Sequence, residues 1–263
     1  MRFTIFGASG FIGSRLLANL RQQKHECITP TRDSIPEMQD LGYVFYCIGL
    51  TADFRTQLLA TINAHVCHLL KILSRCCFKR ICYLSSTRIY QGMPLGDETS
   101  SLLVRSDTES DVYNLSKLMG EAACLTAKAD SIVVRLSNVF SQDDQSNNFL
   151  PSIIREVRTT GRLKLNSTLD SAKDYVSLED VLKMLPQIIV HGRNKIYNLA
   201  SGQLITHAEI ASCLGCPVEV TPRAPQTISP PISIERLRRE FSYIPRDIRA
   251  DIAAIGSSLK DRT

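Results

Sequence analysis

Three glycines close to the N-terminus constrain this chain more than any other feature. Gly7, Gly10 and Gly13 stand in the segment GASGFIG, which follows the short apolar run 2–6. The residues that follow, 11–23, carry apolar side chains at helical spacing, so the glycines lie where a buried strand turns into a helix. Gly7 permits a tight turn, Gly10 lets the backbone approach a pyrophosphate, and Gly13 lets the helix pack closely on the sheet. The segment therefore predicts a dinucleotide-binding loop at the start of a βαβ unit.

Strand-like and helix-like segments alternate through the first half of the chain. Strands are predicted at 2–6, 26–29, 43–48, 80–85 and 131–136, and helices at 11–23, 54–77 and 112–128. Alternation of this kind predicts an α/β fold of Rossmann type, with a doubly wound parallel sheet covered by helices on both faces.

The pattern becomes less regular after Asn138. Helices are expected at 149–159, 178–190, 207–214, 234–241 and 247–259, with short strands at 163–165 and 196–198. We therefore expect a cofactor-binding Rossmann domain and a small C-terminal α/β substrate-binding lobe. The first covers 1–145 and is joined again by 174–200, and the second is built from 146–173 and 201–263.

Composition limits the kinds of partner. The chain has 263 residues, of which 44% are apolar and 22% charged, so it can bury a core and is not expected to be disordered. Its apolar runs, such as 43–50, are much shorter than the roughly 18 to 20 residues that cross a bilayer. Lys and Arg number 31 against 26 Asp and Glu and are scattered, which suits a phosphorylated small molecule better than nucleic acid. We expect a soluble, cytoplasmic protein that binds neither nucleic acid nor a membrane.

The cysteines and histidines do not indicate a metal site. Nine cysteines are dispersed and mostly stand in apolar runs, as in proteins of the reducing cytosol. Cys213 and Cys216 form a CxxC pair without a second pair or neighbouring histidines, and His65 and His68 lack an evident third ligand. The glycines within the apolar N-terminal stretch also argue against a secretory signal.

The end of the second predicted strand bears on the choice of cofactor. An acidic residue there accepts a hydrogen bond from the ribose 2′-OH of NAD, whereas a basic residue binds the 2′-phosphate of NADP. Here the strand runs into TPTRD at 29–33. Arg32 offers a planar fork to a phosphate, so NADP is favoured, while Asp33 beside it keeps NAD open.

A YxxxK motif supplies candidate acid/base chemistry. Tyr113 and Lys117 are four residues apart in a predicted helix, so both side chains can face one cleft. Positive charge from Lys117 would favour the phenolate and bring Tyr113 closer to a useful general acid/base. Ser86 follows the strand-like run 80–85, and its hydroxyl could donate to a substrate oxygen while Tyr113 exchanges the proton.

Taken together, these motifs resemble those of the extended short-chain dehydrogenase/reductase family, the NAD(P)-dependent nucleotide-sugar epimerases, dehydratases and 4-keto reductases. Gly7, Gly10 and Gly13 match the cofactor loop of that family. Ser86 matches its catalytic Ser/Thr, counted back from SSxxxY at Tyr90, and Tyr113 and Lys117 match its catalytic pair.

The resemblance extends over nearly the whole chain. Asn63 resembles the family's structural asparagine, NNFLP at 147–151 resembles a segment that holds the substrate diphosphate in UDP-galactose 4-epimerases, and KDYV at 173–176 resembles RDY(I/V). The resemblance implies that the cofactor contacts Gly7, Ser9, Gly10, Phe11, Ile12, Gly13, Arg32, Tyr113, Lys117 and Ser137. It implies that the substrate contacts Ser86, Thr87, Asn138, Asn148, Lys173 and, as a loose match, Arg223.

Three departures from the family pattern are informative. The chain between the second strand and Tyr43 is too short for the usual third strand, which carries an acidic adenine contact. Lys173 replaces a common arginine and loses bidentate geometry toward phosphate. Thr87 and Arg88 stand where 4,6-dehydratases have Asp-Glu, so elimination of water is not expected.

The resemblance implies an enzyme that transfers hydride at a sugar carbon of a nucleotide-diphosphate sugar. NNFLP favours a 4-epimerase, whereas Arg32 and the compact C-terminal lobe favour an NADPH-dependent 4-keto-sugar reductase. A non-catalytic NAD(P)-binding sensor or scaffold is the alternative of another class, and the presence of Ser86, Tyr113 and Lys117 together argues against it. The leucine-rich stripe of the helix at 54–77 is expected in the core, with a homodimer contact as a further possibility.

Overall fold

The computed structural model describes residues 1–32, 34–50 and 54–260. Its strands are β1 (Arg2–Phe6), β2 (Glu26–Ile28), β3 (Tyr43–Tyr46), β4 (Arg80–Ser86), β5 (Ser131–Leu136), β6 (Asn138–Phe140), β7 (Leu163–Leu165), β8 (Ala172–Ser177), β9 (Ile196–Leu199), β10 (Leu204–Thr206) and β11 (Val218–Val220). Its α-helices are α1 (Phe11–Gln22), α2 (Leu58–Ile62), α3 (His68–Arg75), α4 (Glu109–Thr126), α5 (Phe149–Thr160), α6 (Leu178–His191), α7 (His207–Leu214), α8 (Glu235–Phe241) and α9 (Arg249–Lys260). A π-helical segment, Asn63–Cys67, joins α2 to α3, and a 3₁₀ turn, Thr87–Tyr90, follows β4.

A parallel sheet stands at the centre of the fold. In the described part of the chain it has six strands in the order β2-β1-β3-β4-β5-β9, and every neighbouring pair is parallel. The chain leaves β1 for β2 on one side and returns for β3 on the other. Such a reversal opens a crevice at the carboxyl ends of the strands, where ligands of α/β proteins bind. The predicted doubly wound Rossmann-type sheet is confirmed.

Apolar side chains cover both faces of this sheet. All four residues of β3 are buried, as expected for a parallel strand covered on each side. Phe3 and Phe45 belong to a cluster with apolar residues of α1 and α6, whereas Phe6 and Tyr46 belong to a second cluster with Leu69 of α3. The sheet is thus held between two helical layers.

A smaller unit follows β5 along the chain. A sheet of order β10-β8-β6 is its centre, with β6 parallel and β10 antiparallel to β8, and a separate pair joins β7 to β11. A third apolar cluster includes residues of α5, α7 and α9. The strand β8 crosses the expected boundary at 173/174, and β9 pairs with β5 of the main sheet. The division into 1–145, 174–200 and the remaining lobe stays a prediction.

Sequence periodicity located most elements but missed the six-residue strand β8 and three shorter strands. The helix expected over 54–77 begins at Leu58 and ends at Arg75, because Cys76 is extended and Cys77 bridges Asp40. β6, β10 and β11 have three residues each, too few for an alternating pattern to show. Within the described residues 34–42 no strand forms, in agreement with the expected loss of the third strand.

No helix in the described part of the chain is long and apolar enough to cross a membrane. The cytoplasmic location stays a prediction.

A buried ion pair joins the main sheet to α4. Arg135 of β5 donates to both carboxylate oxygens of Glu121, with Nη2 to Oε2 at 2.6 Å, and both side chains are less than 5% exposed. Arg135 Nη1 also donates to the Tyr90 hydroxyl at 2.6 Å, and that hydroxyl donates to Asn198 of β9 at 2.8 Å. The network therefore ties α4 and the 3₁₀ turn to β5 and β9.

We expect Arg135→Met to lower the free energy of unfolding by about 3 to 5 kcal/mol, because it leaves the Glu121 carboxylate buried without its partner. The matched control is Arg238→Met, which breaks the exposed pair with Glu235 and should cost less than about 1 kcal/mol. Urea unfolding followed by circular dichroism measures both values. Similar losses in the two variants would contradict the assignment, and Arg135→Met combined with Glu121→Leu should recover most of the stability.

Candidate active site

The glycine loop has a geometry that side chains would disrupt. Gly7 has a φ of +82°, and a Cβ there would lie 2.9 Å from the carbonyl carbon of Cys47. The backbone N–H of Gly10 donates to the Gly7 carbonyl at 3.0 Å. A Cβ on Gly13 would lie only 2.2 Å from that same Gly7 oxygen. The loop and the first turn of α1 thus approach more closely than any residue other than glycine allows at position 13.

The N-terminus of α1 is suited to an anion. Gly10 is its N-cap and supplies no side chain to cap it, and its first turn carries no acidic residue. The first N–H groups of a helix have no intrahelical acceptor, and the helix dipole is positive at this end. A pyrophosphate fits both properties.

A cleft of about 460 Å³ opens above this loop. Gly7, Ser9, Gly10 and Arg32 line it, so four of the predicted cofactor residues face one space. Its volume lies in the usual range of small-molecule sites, roughly 300 to 1,000 Å³. Phe11, Ile12 and Gly13 lie in the first turn of α1, where Gly13 is buried and the other two are half-buried. Asp33 lies outside the described residues.

Ser86 and Tyr113 meet at the carboxyl edge of the main sheet. Ser86 is the last residue of β4 and the N-cap of the 3₁₀ turn, where its Oγ accepts from the backbone N–H of Arg88 at 3.2 Å. Tyr113 lies in α4 and is only 5% exposed. Burial raises the pKa of Tyr113, while the nearby Ser86 side chain and the positive charge of Arg88 act in the opposite direction.

Lys117 lies one helical turn beyond Tyr113. Its ammonium is buried, donates to the Leu84 carbonyl at 2.9 Å, and lies 5.9 Å from the centroid of the Tyr113 ring. Burial lowers the pKa of Lys117 to about 7, although the nearby Glu121 carboxylate favours the charged form. Lys117 therefore changes its charge close to neutral pH.

His65, which the sequence motifs did not assign to the site, contacts residues of the site. It is fully buried, and burial lowers its pKa to about 2, so its ring is neutral. The Leu50 N–H donates to its Nε2 at 3.3 Å, so its Nδ1 carries the proton and donates to Ser116 Oγ at 2.8 Å. Ser116 in turn donates to the Tyr113 carbonyl at 2.8 Å. His65 thus connects the segment after β3 to the catalytic turn of α4. No cluster of metal-ligating residues occurs in the described chain.

Arg88 is a second residue that the sequence motifs did not assign to the site. It is half-buried, its guanidinium carbon lies 5.3 Å above the Phe54 ring, and that ring lies 5.0 Å from the Tyr113 ring. A basic residue two positions after Ser86 was the available signal, but only the folded chain shows that its charge acts on Tyr113.

The predicted substrate residues lie in several different elements and differ in their exposure to solvent. Lys173 of β8 holds its ammonium 4.7 Å from the Phe149 ring, and Asn138 donates through its side chain to the Asp174 carbonyl at 2.8 Å. Asn148 is exposed at the N-terminus of α5. Thr87 and Ser137 are buried beside the ends of β4 and β5. Arg223 is exposed in a turn after β11, and no hydrogen bond or ion pair of the described residues joins it to the others.

The same overall structure occurs in enzymes of known type. TunA, an NAD-dependent NDP-hexosamine 5,6-dehydratase of tunicamycin biosynthesis, is 18% identical with a TM-score of 0.82, over 100% of this chain and 98% of TunA. The UDP-glucuronic acid 4-epimerase of Bacillus cereus, solved with NAD, is 15% identical with a TM-score of 0.81, over 99% and 97% of the two chains. RMD of Pseudomonas aeruginosa, complexed with NADPH, is 20% identical with a TM-score of 0.78, over 100% of both chains. At these identities the likeness confirms the fold.

The glycine loop and the set of Ser86, Tyr113 and Lys117 thus lie at the carboxyl edge of one Rossmann-type sheet. The family model described as NAD dependent epimerase/dehydratase matches residues 3–200. The chain belongs to this family. Membership confirms the sequence-based predictions of an enzyme and of a nicotinamide dinucleotide cofactor.

We expect Gly13→Ala to abolish cofactor binding, because the added Cβ would displace the Gly7 carbonyl and with it the loop. Titration of the protein with NADPH and NADH, followed by nicotinamide fluorescence, measures the loss. Gly161→Ala is the control: Gly161 has a φ of +69° at the end of α5, and a Cβ there meets no atom within 4 Å. It should lose about 1 kcal/mol of stability and bind cofactor normally. Normal binding by Gly13→Ala would show that the loop is not the pyrophosphate site.

Proposed function

We propose that this enzyme transfers hydride at a sugar carbon of a nucleotide-diphosphate sugar and acts as a 4-epimerase. The observation that carries the proposal is the placement of Ser86 beside the buried Tyr113 phenol, whose pKa it lowers, with Lys117 one turn away, at the sheet edge that also holds the glycine loop. A pure binding protein has no need of such a set.

The residues divide the work as follows. Tyr113 removes the proton of a sugar hydroxyl and later returns it, and Ser86 donates a hydrogen bond that orients the sugar oxygen. Lys117, one helical turn beyond Tyr113, would hold a ribose of the cofactor. A bound nicotinamide supplies the hydride acceptor and donor. Arg88 contributes positive charge that favours the phenolate.

Two features support an epimerase, and one supports a reductase. NNFLP lies at the entrance to α5, where Asn148 is exposed and available to a ligand, and the similar structures include an NAD-bound 4-epimerase. An epimerase oxidises the sugar and returns the hydride to its other face, so no cofactor is consumed. Arg32 at the cleft instead favours NADPH and a 4-keto-sugar reductase, the second candidate.

We also propose that the enzyme pairs with a second copy through the helical segment at 58–75. Leu59 and Leu70 are 82% and 48% exposed there, and Met119 of the adjoining α4 is 58% exposed. Exposed apolar side chains on neighbouring helices are typical of an interface.

Tyr113→Phe should lower turnover by about 10²- to 10⁴-fold, because it removes the proton-transfer group, and should leave cofactor affinity nearly unchanged. The assay follows nicotinamide absorbance and sugar composition with UDP-, dTDP- and GDP-sugars and their 4-keto forms. Interconversion without absorbance loss identifies the epimerase, and stoichiometric loss of NADPH absorbance identifies the reductase. Tyr43→Phe is the control, because Tyr43 is the first residue of β3 and lies at the amino edge of the sheet, away from Tyr113. Unchanged turnover in Tyr113→Phe would support the non-catalytic alternative.

Arg32→Asp should weaken NADP binding about 10- to 100-fold while changing NAD affinity little, because only NADP presents a 2′-phosphate to the guanidinium. Fluorescence titration with each cofactor gives the two dissociation constants. Arg239→Asp, at an exposed position of α8, controls for the change of charge. Equal losses for NAD and NADP would contradict a 2′-phosphate contact.

A further inference from the structure

Positive charges gather on the substrate side of Tyr113. The guanidinium carbons of Arg55 and Arg88 lie 4.5 and 5.3 Å from the centroid of the same Phe54 ring. The Phe54 ring lies 5.0 Å from the Tyr113 ring. Lys173 is near enough to Arg88 that the positive charge of Arg88, together with burial, lowers the pKa of Lys173. Like charges that repel one another in a half-buried site are unfavourable unless a ligand compensates them.

No carboxylate of the described chain satisfies Arg88. Its Nε is buried and has no hydrogen-bond partner among the described residues. Asp111 is the acidic group that acts on Arg88, but its two oxygens accept from the Arg105 N–H and from Asn114 Nδ2, each at 2.9 Å. Lys173 faces an aromatic ring. A guanidinium without an acceptor is unfavourable, and because Arg88 is only half-buried, an anionic ligand can reach the exposed part of its side chain.

His207 does not offset these charges. Its ring stacks on the Phe149 ring, which the Lys173 ammonium also contacts, and the two ring centroids are 4.4 Å apart. Burial and the charge of Lys173 lower the pKa of His207 to about 4, so this histidine is neutral near pH 7. Among the described residues, the groups that face Arg88 from the surrounding elements are therefore Arg55, Tyr113, Lys173 and the already paired Asp111.

The position of Arg88 indicates which part of a substrate carries the anion. Arg88 stands two residues after Ser86, in the turn that Ser86 caps, and its charge acts on the Tyr113 phenol. An anion bound to Arg88 would therefore lie next to the reacting carbon, on the sugar ring. A guanidinium is well matched to a carboxylate because its planar fork can donate two parallel hydrogen bonds.

We propose that Arg88, flanked by Lys173, forms a subsite for a carboxylate on the sugar, so that the substrate is a nucleotide-linked uronic acid and not a neutral hexose. This inference rests on the proposed function and names its substrate class. Arg88 is a specificity-determining residue in this assignment.

The test compares a uronic acid with its neutral counterpart on the same nucleotide, UDP-glucuronic acid against UDP-glucose and GDP-mannuronic acid against GDP-mannose. Calorimetry on the cofactor-loaded protein gives dissociation constants, and steady-state kinetics give kcat/KM for any pair that is turned over. The wild type should favour the uronic acid in at least one pair. Arg88→Met should lower the ratio of uronic acid to hexose, in affinity and in kcat/KM, by about 10- to 100-fold. Using the ratio cancels effects on Tyr113 that are common to both sugars.

Two further variants separate charge from packing. Arg88→Lys should retain part of the preference, because it keeps the charge and loses the fork, whereas Arg239→Met on exposed α8 should retain all of it. Equal losses for both sugars in Arg88→Met would overturn the subsite and place Arg88 on the diphosphate or in the fold. Turnover of UDP-glucose or GDP-mannose with no preference for the acid would overturn the inference while leaving the proposed function intact. Binding of the acids without turnover of any nucleotide sugar would support the subsite and contradict the proposed function.

Discussion

The buried pair between Arg135 and Glu121 is the interaction on which the catalytic arrangement depends. Glu121 belongs to α4, one turn beyond Lys117, and Arg135 reaches it from near the carboxyl end of β5. Tyr90, whose hydroxyl accepts a hydrogen bond from Arg135, is the last residue of the 3₁₀ turn that Ser86 caps. One guanidinium therefore holds both elements that carry the acid/base residues. Removing two charges from water is costly, and their close bidentate geometry offsets that cost only while both partners are present.

This arrangement also controls charge in the site. Lys117 and Tyr113 are both buried, and burial moves their pKa values apart, upward for the phenol and downward for the ammonium. The His65 ring, with its pKa near 2, adds rigidity without adding charge. Glu121 partly compensates Lys117, yet its stronger contact is with Arg135. Titratable groups whose pKa values are shifted in opposite directions within one cleft are typical of proton-transfer sites.

The parts of the site that the sequence predicted are those determined by local spacing. The glycines at 7, 10 and 13 and the pair Tyr113 and Lys117 each lie within one turn or one helix, so their relation depends on backbone geometry alone. Arg88 and His65 were not assigned to the site because their importance depends on side chains that are distant in sequence, such as Phe54 and Ser116. Three-residue strands such as β6 and β10 were missed because their pairing partners define them, and no repeating pattern does.

Charge is distributed unequally around a nearly uncharged reaction centre. At one end, the uncapped N-terminus of α1 and Arg32 suit the phosphates of a dinucleotide. At the other end, Arg88 and Lys173 lie beyond Tyr113, and no carboxylate of the described residues pairs with either of them. Between the two ends, the phenol and the imidazole of His65 are neutral, and burial weakens the charged form of Lys117. A ligand with an anion at each end would be drawn into a single orientation, with its reacting carbon beside Tyr113. The slight excess of basic residues in the sequence is thus less informative than their placement, because a few cations left unpaired near the reaction centre select the ligand and its orientation.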